Sequence, residues 1–127
     1  MFDPHYLSNE INKIIPDAFE HLEQIASFEQ EKASQIVSRI LEHCCDATHT
    51  TIILIGRNAF KRLPPEWVTT NLPAIIAQSS HLDDDWNYRR LLELLKESNS
   101  ALSNVYIKKG LGSNNPEIDE AAREFMN

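Results

Sequence analysis

Apolar residues recur at intervals of three and four along most of this chain, and that spacing is the strongest constraint on its fold. Because an α-helix completes a turn every 3.6 residues, the spacing places these side chains on one helical face. The clearest stripes are positions 18, 19, 22, 25 and 26, followed by 33, 36, 37, 40, 41 and 44. Glycine occurs only three times in 127 residues, which argues against a sheet protein with many tight turns. The sequence therefore predicts an all-α fold.

Prolines and capping residues divide this pattern into about seven or eight short helices. The predicted boundaries are a first helix from Asp3-Pro4 to about Ile14, an end at Pro64-Pro65, a stop and restart at Asn71-Leu72-Pro73, a start after Asp83-Asp84-Asp85, a cap at Gly110 and a last start at Asn115-Pro116. We expect them to pack as a compact array of helical hairpins, either a globular bundle or a short solenoid.

Two segments admit more than one interpretation. Ser27 and Gln30 fit a capping box, which predicts a new helix start, but one long helix from Pro16 to Cys45 is also compatible with the sequence. Thr50–Ile55 is rich in β-branched residues, yet a lone strand would have no partner, so a helix is favoured. Its predicted inward face comprises Ile52, Ile55, Gly56, Ala59, Phe60 and Leu63.

Composition indicates one acidic domain spanning residues 1–127, with 42% apolar residues and a formal charge of −7. Residues 1–50 carry nine acidic and three basic side chains. This balance repels phosphate backbones, so we expect no nucleic-acid partner. No apolar run reaches the length of a membrane span, so we expect no membrane partner. The only cysteines, Cys44 and Cys45, are adjacent and form no disulfide framework, which favours a reducing, cytoplasmic location.

No motif predicts catalysis, a cofactor or a metal. The densest ligand set, His43 to His49 with both cysteines, lacks the second separated pair typical of zinc sites, so buried Cys44 with surface Cys45 is favoured. Asp83–Asp85 suits Mg²⁺, but helix capping explains it. Glu20 with Glu23 fits a solvated helix face better than an acid–base pair. Gly110-Leu111-Gly112 follows a helix, whereas phosphate loops follow strands.

The best candidates for partner contact are large aromatic and basic side chains. They are Trp67, Trp86, Tyr88, Arg57, Lys61 and Arg62. Arg57, Lys61 and Arg62 lie on roughly successive turns of one helix, so they predict an anion-binding or partner-binding face, to which Arg89, Arg90, Lys108 and Lys109 would add. The alternatives are core packing for the aromatic rings and ordinary salt bridges for the cations.

The C-terminal helix pair, residues 102–125, resembles HEAT-like α-helical repeats. The resemblance rests on the run from Leu111 to Ala122, in which an Asn-Pro turn precedes a small apolar pattern ending in paired alanines. Asp119 stands where that family usually has a basic residue. The resemblance implies stacked helical hairpins and a protein-binding role.

The leading hypothesis is a non-catalytic protein-interaction or adaptor domain that binds a protein partner or itself. The first alternative is an acidic inhibitor of the immunity or antitoxin type, motivated by the acidic first 50 residues. The second is a metal-binding or ligand-binding protein centred on His43–His49.

Overall fold

Every regular element of the described chain is helical, which confirms the all-α prediction. The computed structural model describes residues 3–46, 49–78 and 84–126, with only the backbone described at Asp46. The elements are α1 (Tyr6–Ile14), a 3₁₀ segment (Ala18–Ser27), α2 (Gln30–Leu41), a π segment (Glu42–Asp46), α3 (Thr50–Lys61), α4 (Pro65–Ala77), α5 (Asp85–Ser98), α6 (Ser100–Gly110) and α7 (Pro116–Glu124). None of the helices in these ranges is both long enough and apolar enough to cross a membrane.

Helix α5 lies at the centre of one hydrophobic core, as its four leucines predict. Leu91, Leu92, Leu94 and Leu95 are all buried. The helix packs against α6, α7 and the π segment, while α2 packs against α1, α3 and α4. These contacts join the helices into one compact all-α fold.

The chain between Pro16 and Cys45 is broken, which excludes the alternative of a single long helix. Asp17 has a left-handed backbone with φ of 64°, and the 3₁₀ segment follows it. Helix α2 begins only at Gln30, after Glu29. The new helix start predicted at this place is confirmed, but Ser27 and Gln30 form no capping box, because the Ser27 hydroxyl donates to the Gln24 carbonyl, 2.7 Å away.

Helix α3 confirms the choice of helix over strand, with its buried face rotated slightly from the prediction. Gly56, Ala59, Phe60 and Leu63 are buried as expected. Ile53 is buried, whereas Ile52 and Ile55, which were predicted to face inward, are only half-buried. Gly56 lies close against the π segment, in agreement with its predicted inward position.

Helix α4 runs without interruption through Pro73, so the predicted stop there was wrong. A proline inside a helix removes one backbone hydrogen bond and costs about 3 kcal/mol. Leu72, Ile75 and Ile76 on either side of it are all buried. Burial of side chains of this size contributes about 1.5–3 kcal/mol each, which offsets the lost bond.

The helix boundaries predicted from caps hold at the C-terminal half. Asp84, Asn99 and Asn115 each accept a hydrogen bond from a backbone N–H in the first turn of α5, α6 and α7, respectively. Gly110 does not cap α6 with a left-handed backbone. It is buried as the last residue of the helix, and the left-handed glycine is Gly112, with φ of 78°.

Candidate functional site

The two basic residues of α3 and Arg62, which directly follows the helix, each face a carboxylate. Arg57 pairs with Glu93 at 2.6 Å and Lys61 pairs with Glu97, so two ion pairs join α3 to α5. Arg62 joins α3 to the 3₁₀ segment through Glu23.

The Arg62–Glu23 pair is bidentate, with nitrogen–oxygen distances of 2.9 and 3.1 Å. The hydrogen bonds from Arg62 lower the pKa of Glu23 from 4.5 to about 2. Glu23 is therefore fully ionised near neutral pH and is unsuited to act as a general acid with Glu20. Because every cation of this face is matched by a carboxylate, the face presents little net positive charge to an anion.

Trp86 is the most exposed large apolar side chain of the described residues, with 64% of its surface accessible. It lies in the first turn of α5, where its backbone N–H donates to Asp84 Oδ1 at 2.8 Å. The guanidinium of Arg90, one turn later, lies 5.9 Å from the centre of the indole ring. Capping at Asp84 orders the backbone of this turn, and the cation–π contact with Arg90 favours one placement of the exposed indole.

The other two aromatic candidates face inward. Tyr88 is only 1% exposed, and its hydroxyl donates to the Tyr106 carbonyl at 2.6 Å. Burial raises the pKa of Tyr88 to about 12. Trp67 is half-buried against the core from α4. The Tyr88 ring is packed in the core, which was the alternative to partner contact, and it offers no surface to a partner.

The π segment carries the histidine and cysteine cluster and is surrounded by α2, α3 and α5. Cys44 is buried as expected, but Cys45 is only 2% exposed, so its predicted surface position was wrong. Adjacent side chains of the segment point in different directions, and both cysteines are buried because helices pack on several sides. Burial raises the pKa of the Cys44 thiol well above its usual value. This makes Cys44 a poor nucleophile and a poor metal ligand.

Both described histidines of this cluster have structural contacts. The His43 ring stacks on Tyr6 with ring centres 5.9 Å apart. His49 caps α3, since its Nδ1 accepts from the Thr51 N–H at 3.2 Å. Within the described residues, no three His, Cys, Asp or Glu side chains converge as metal ligands would. The Asp46 side chain and Asp83 lie outside what the structure describes.

A pocket near the end of α6 was not predicted from the sequence. It lies between the end of α6 and the residues after α7, and has a volume of about 250 Å³. Its lining comprises Asn104, Ile107, Lys108, Leu111 and Met126. The turn from α6 to α7 brings residues 104–111 next to Met126, which no local pattern reveals. The sequence does give one indication of this region. Lys108 and Lys109 have no acidic residue three or four positions before them, so neither can form such an ion pair within α6.

No family model matches this chain, and comparisons with curated proteins and with solved structures likewise found no match. The resemblance of residues 102–125 to HEAT-like repeats therefore stays a prediction.

Proposed function

We propose that this chain is a non-catalytic protein-interaction domain that contacts its partner through the exposed end of α5 around Trp86. The observation that carries the proposal is that Trp86 is 64% exposed on a turn capped by Asp84, with its indole in contact with Arg90. Tryptophan and arginine are the residues most enriched in binding hot spots. A preorganised side chain also loses little conformational entropy on binding, which favours affinity.

The setting we propose is a reducing, cytoplasmic one. Cys44 and Cys45 are the only cysteines in the sequence, and both are buried in the core. Buried thiols with a raised pKa, as at Cys44, suit a protein that does not depend on disulfides.

The test compares Trp86→Ala with Leu54→Ala. Leu54 is 51% exposed on α3, so its variant removes a similar apolar surface elsewhere. Each tagged full chain is purified gently from its native cells, and its mass is measured by size-exclusion light scattering. We expect a stoichiometric partner with wild type and Leu54→Ala, and its loss with Trp86→Ala. Equal recovery by both variants, or a monomer without any partner in wild type, would contradict the proposal.

A second candidate is the acidic inhibitor, and a specific observation favours it. The exposed carboxylates of Glu20, Glu29 and Glu31 form no ion pair with any cation of the described residues. This leaves the 3₁₀ segment and the start of α2 as an acidic surface that would attract a basic partner. We expect the affinity of such a complex to fall steeply as the salt concentration rises. At a given salt concentration, the double variant Glu29→Lys/Glu31→Lys should bind the basic partner more weakly than wild type. Affinity that is independent of salt would reject this candidate.

A further inference from the structure

The pocket between α6 and the residues after α7 has an apolar floor that rests on the core. Ile107 is buried and Leu111 is half-buried against the core cluster, while Met126 is 58% exposed at the edge. Methionine adapts its shape to different partners, which suits the edge of a contact site. The floor is therefore an apolar depression that is open to solvent.

Lys108 lines this pocket and Lys109 follows it in α6, and both differ from the cations on α3. In the described part of the chain, neither Lys108 nor Lys109 lies within ion-pairing distance of a carboxylate. Lys109 instead lies 5.2 Å above the Tyr106 ring. The negative end of the α6 dipole favours lysines at this point, and it stabilises two ammonium groups that pair with no carboxylate of the described residues. By contrast, Arg57, Lys61 and Arg62 each pair with a carboxylate.

Size and openness indicate what kind of occupant fits. Small-molecule sites usually enclose most of their ligand in about 300–1,000 Å³. This pocket is smaller, at about 250 Å³, and is open on one side. It suits one large apolar side chain that a partner protein presents. A second copy of this chain fits less well, because two copies with a formal charge of −7 repel each other.

We propose that the α6–α7 pocket binds an acidic, apolar segment of a partner protein, whose apolar side chain enters the pocket while a neighbouring carboxylate pairs with Lys108 or Lys109. Charge complementarity between lysines without carboxylate partners and an acidic segment supplies the specificity, and the apolar floor supplies the buried area. This proposal does not depend on Trp86, so an experiment can contradict the proposal for one surface and leave the other unaffected.

The probe is a random 12-residue peptide library displayed on phage and selected on the immobilised full chain. We expect enriched peptides that place Asp or Glu beside Leu, Ile, Phe or Met. The affinities of synthetic versions are then measured by fluorescence polarisation against variants of the full chain. Lys108→Glu/Lys109→Glu and Met126→Asp should each weaken binding about tenfold or more, since both alter exposed groups of the pocket.

Lys32→Glu provides the matched control, because Lys32 is exposed on α2 and also lacks an ion pair within the described residues. It should leave peptide affinity nearly unchanged, as should Trp86→Ala. Three results would overturn the proposal: enriched peptides without acidic residues, equal loss of affinity in Lys32→Glu and the pocket variants, or loss of affinity only in Trp86→Ala. A wild-type dimer that Lys108→Glu/Lys109→Glu dissociates would assign the pocket to a second copy and would also overturn it.

Discussion

Gly110 is the last residue of α6, and the absence of a side chain there leaves room for the Tyr88 ring. A Cβ at this position would lie 2.1 Å from the Tyr88 Oη and 3.0 Å from the Ala122 Cβ. Real Cβ atoms do not approach other atoms so closely. The glycine therefore permits α5, α6 and α7 to meet around one buried tyrosine hydroxyl.

We expect Gly110→Ala to lower the free energy of unfolding by about 2 kcal/mol, the usual effect of overpacking a core. Tyr88→Phe removes the nearest atom, so the cost of Gly110→Ala should be smaller in a Tyr88→Phe background. Urea titrations of the two single variants and the double variant measure this coupling. Gly112→Ala is the control, because a Cβ there meets nothing within 4 Å and only the left-handed backbone opposes it. If the stability losses of Gly110→Ala and Tyr88→Phe are simply additive in the double variant, this would contradict the close approach of residue 110 to the Tyr88 ring.

The π segment contains the adjacent cysteines and packs closely against α3. Opposite it on α3 is Gly56, where a Cβ would lie 2.7 Å from the His43 Cβ and 2.9 Å from the Cys44 nitrogen. A backbone nitrogen cannot move without displacing the whole segment. The π segment therefore keeps its position because α3 has no side chain at residue 56.

Gly56→Ala should displace the π segment and expose its thiols. We expect a loss of about 3 kcal/mol in the free energy of unfolding, at the upper end of overpacking effects. The buried thiols of wild type should react slowly with a thiol reagent such as 5,5′-dithiobis(2-nitrobenzoic acid), because burial holds the pKa of Cys44 high. Reaction should be at least about tenfold faster in Gly56→Ala.

Asn58→Ala serves as the control, since Asn58 lies on the exposed side of the same helix. It should change neither stability nor thiol reactivity appreciably. Wild-type stability and wild-type thiol reactivity in Gly56→Ala would show that the two elements do not pack as described.

Elements fixed by local chemistry were the ones that the sequence predicted well. The starts of α5 and α7 follow from Asp84 and Asn115, whose side chains act within their own turn. Pro73 and Cys45 were misjudged because burial by distant helices decided them, and local rules contain no information about such packing. For the candidate site, the sequence left two alternatives for Trp86, exposure for partner contact or packing in the core. The α6–α7 pocket could not be predicted, because it depends on a turn that brings residues 104–111 next to Met126.

At the scale of the whole molecule, ion pairs join elements that are distant in sequence. Arg62–Glu23 links α3 to the 3₁₀ segment, Arg57–Glu93 and Lys61–Glu97 link α3 to α5, and Arg89–Glu124 links α5 to the end of α7. All four pairs are partly or fully exposed, so each contributes modestly and is weakened by salt. Their common effect is to make stability depend on ionised carboxylates.

Glu23 makes this dependence testable. Its pKa is about 2 in the folded chain against an ordinary value of 4.5, so the ionised carboxylate favours the folded state. The contribution is fully present above pH 4.5 and is lost as pH falls toward 2. We expect the free energy of unfolding of Glu23→Gln, measured in urea from pH 7 to pH 2, to fall less steeply across this window than that of wild type. The two curves should converge near pH 2, where the wild-type contribution has been lost.

Glu20→Gln is the matched control, because Glu20 lies in the same 3₁₀ segment and forms no ion pair with the described residues. Its stability should follow the wild-type pH profile. Other paired carboxylates, including Glu97 and Asp119, also have a lowered pKa and act equally in all three proteins, so only the difference between curves reports Glu23. High salt should reduce that difference, since the pair is exposed. Parallel pH profiles for wild type and Glu23→Gln at low salt would show that the Arg62–Glu23 pair does not link α3 to the 3₁₀ segment in solution.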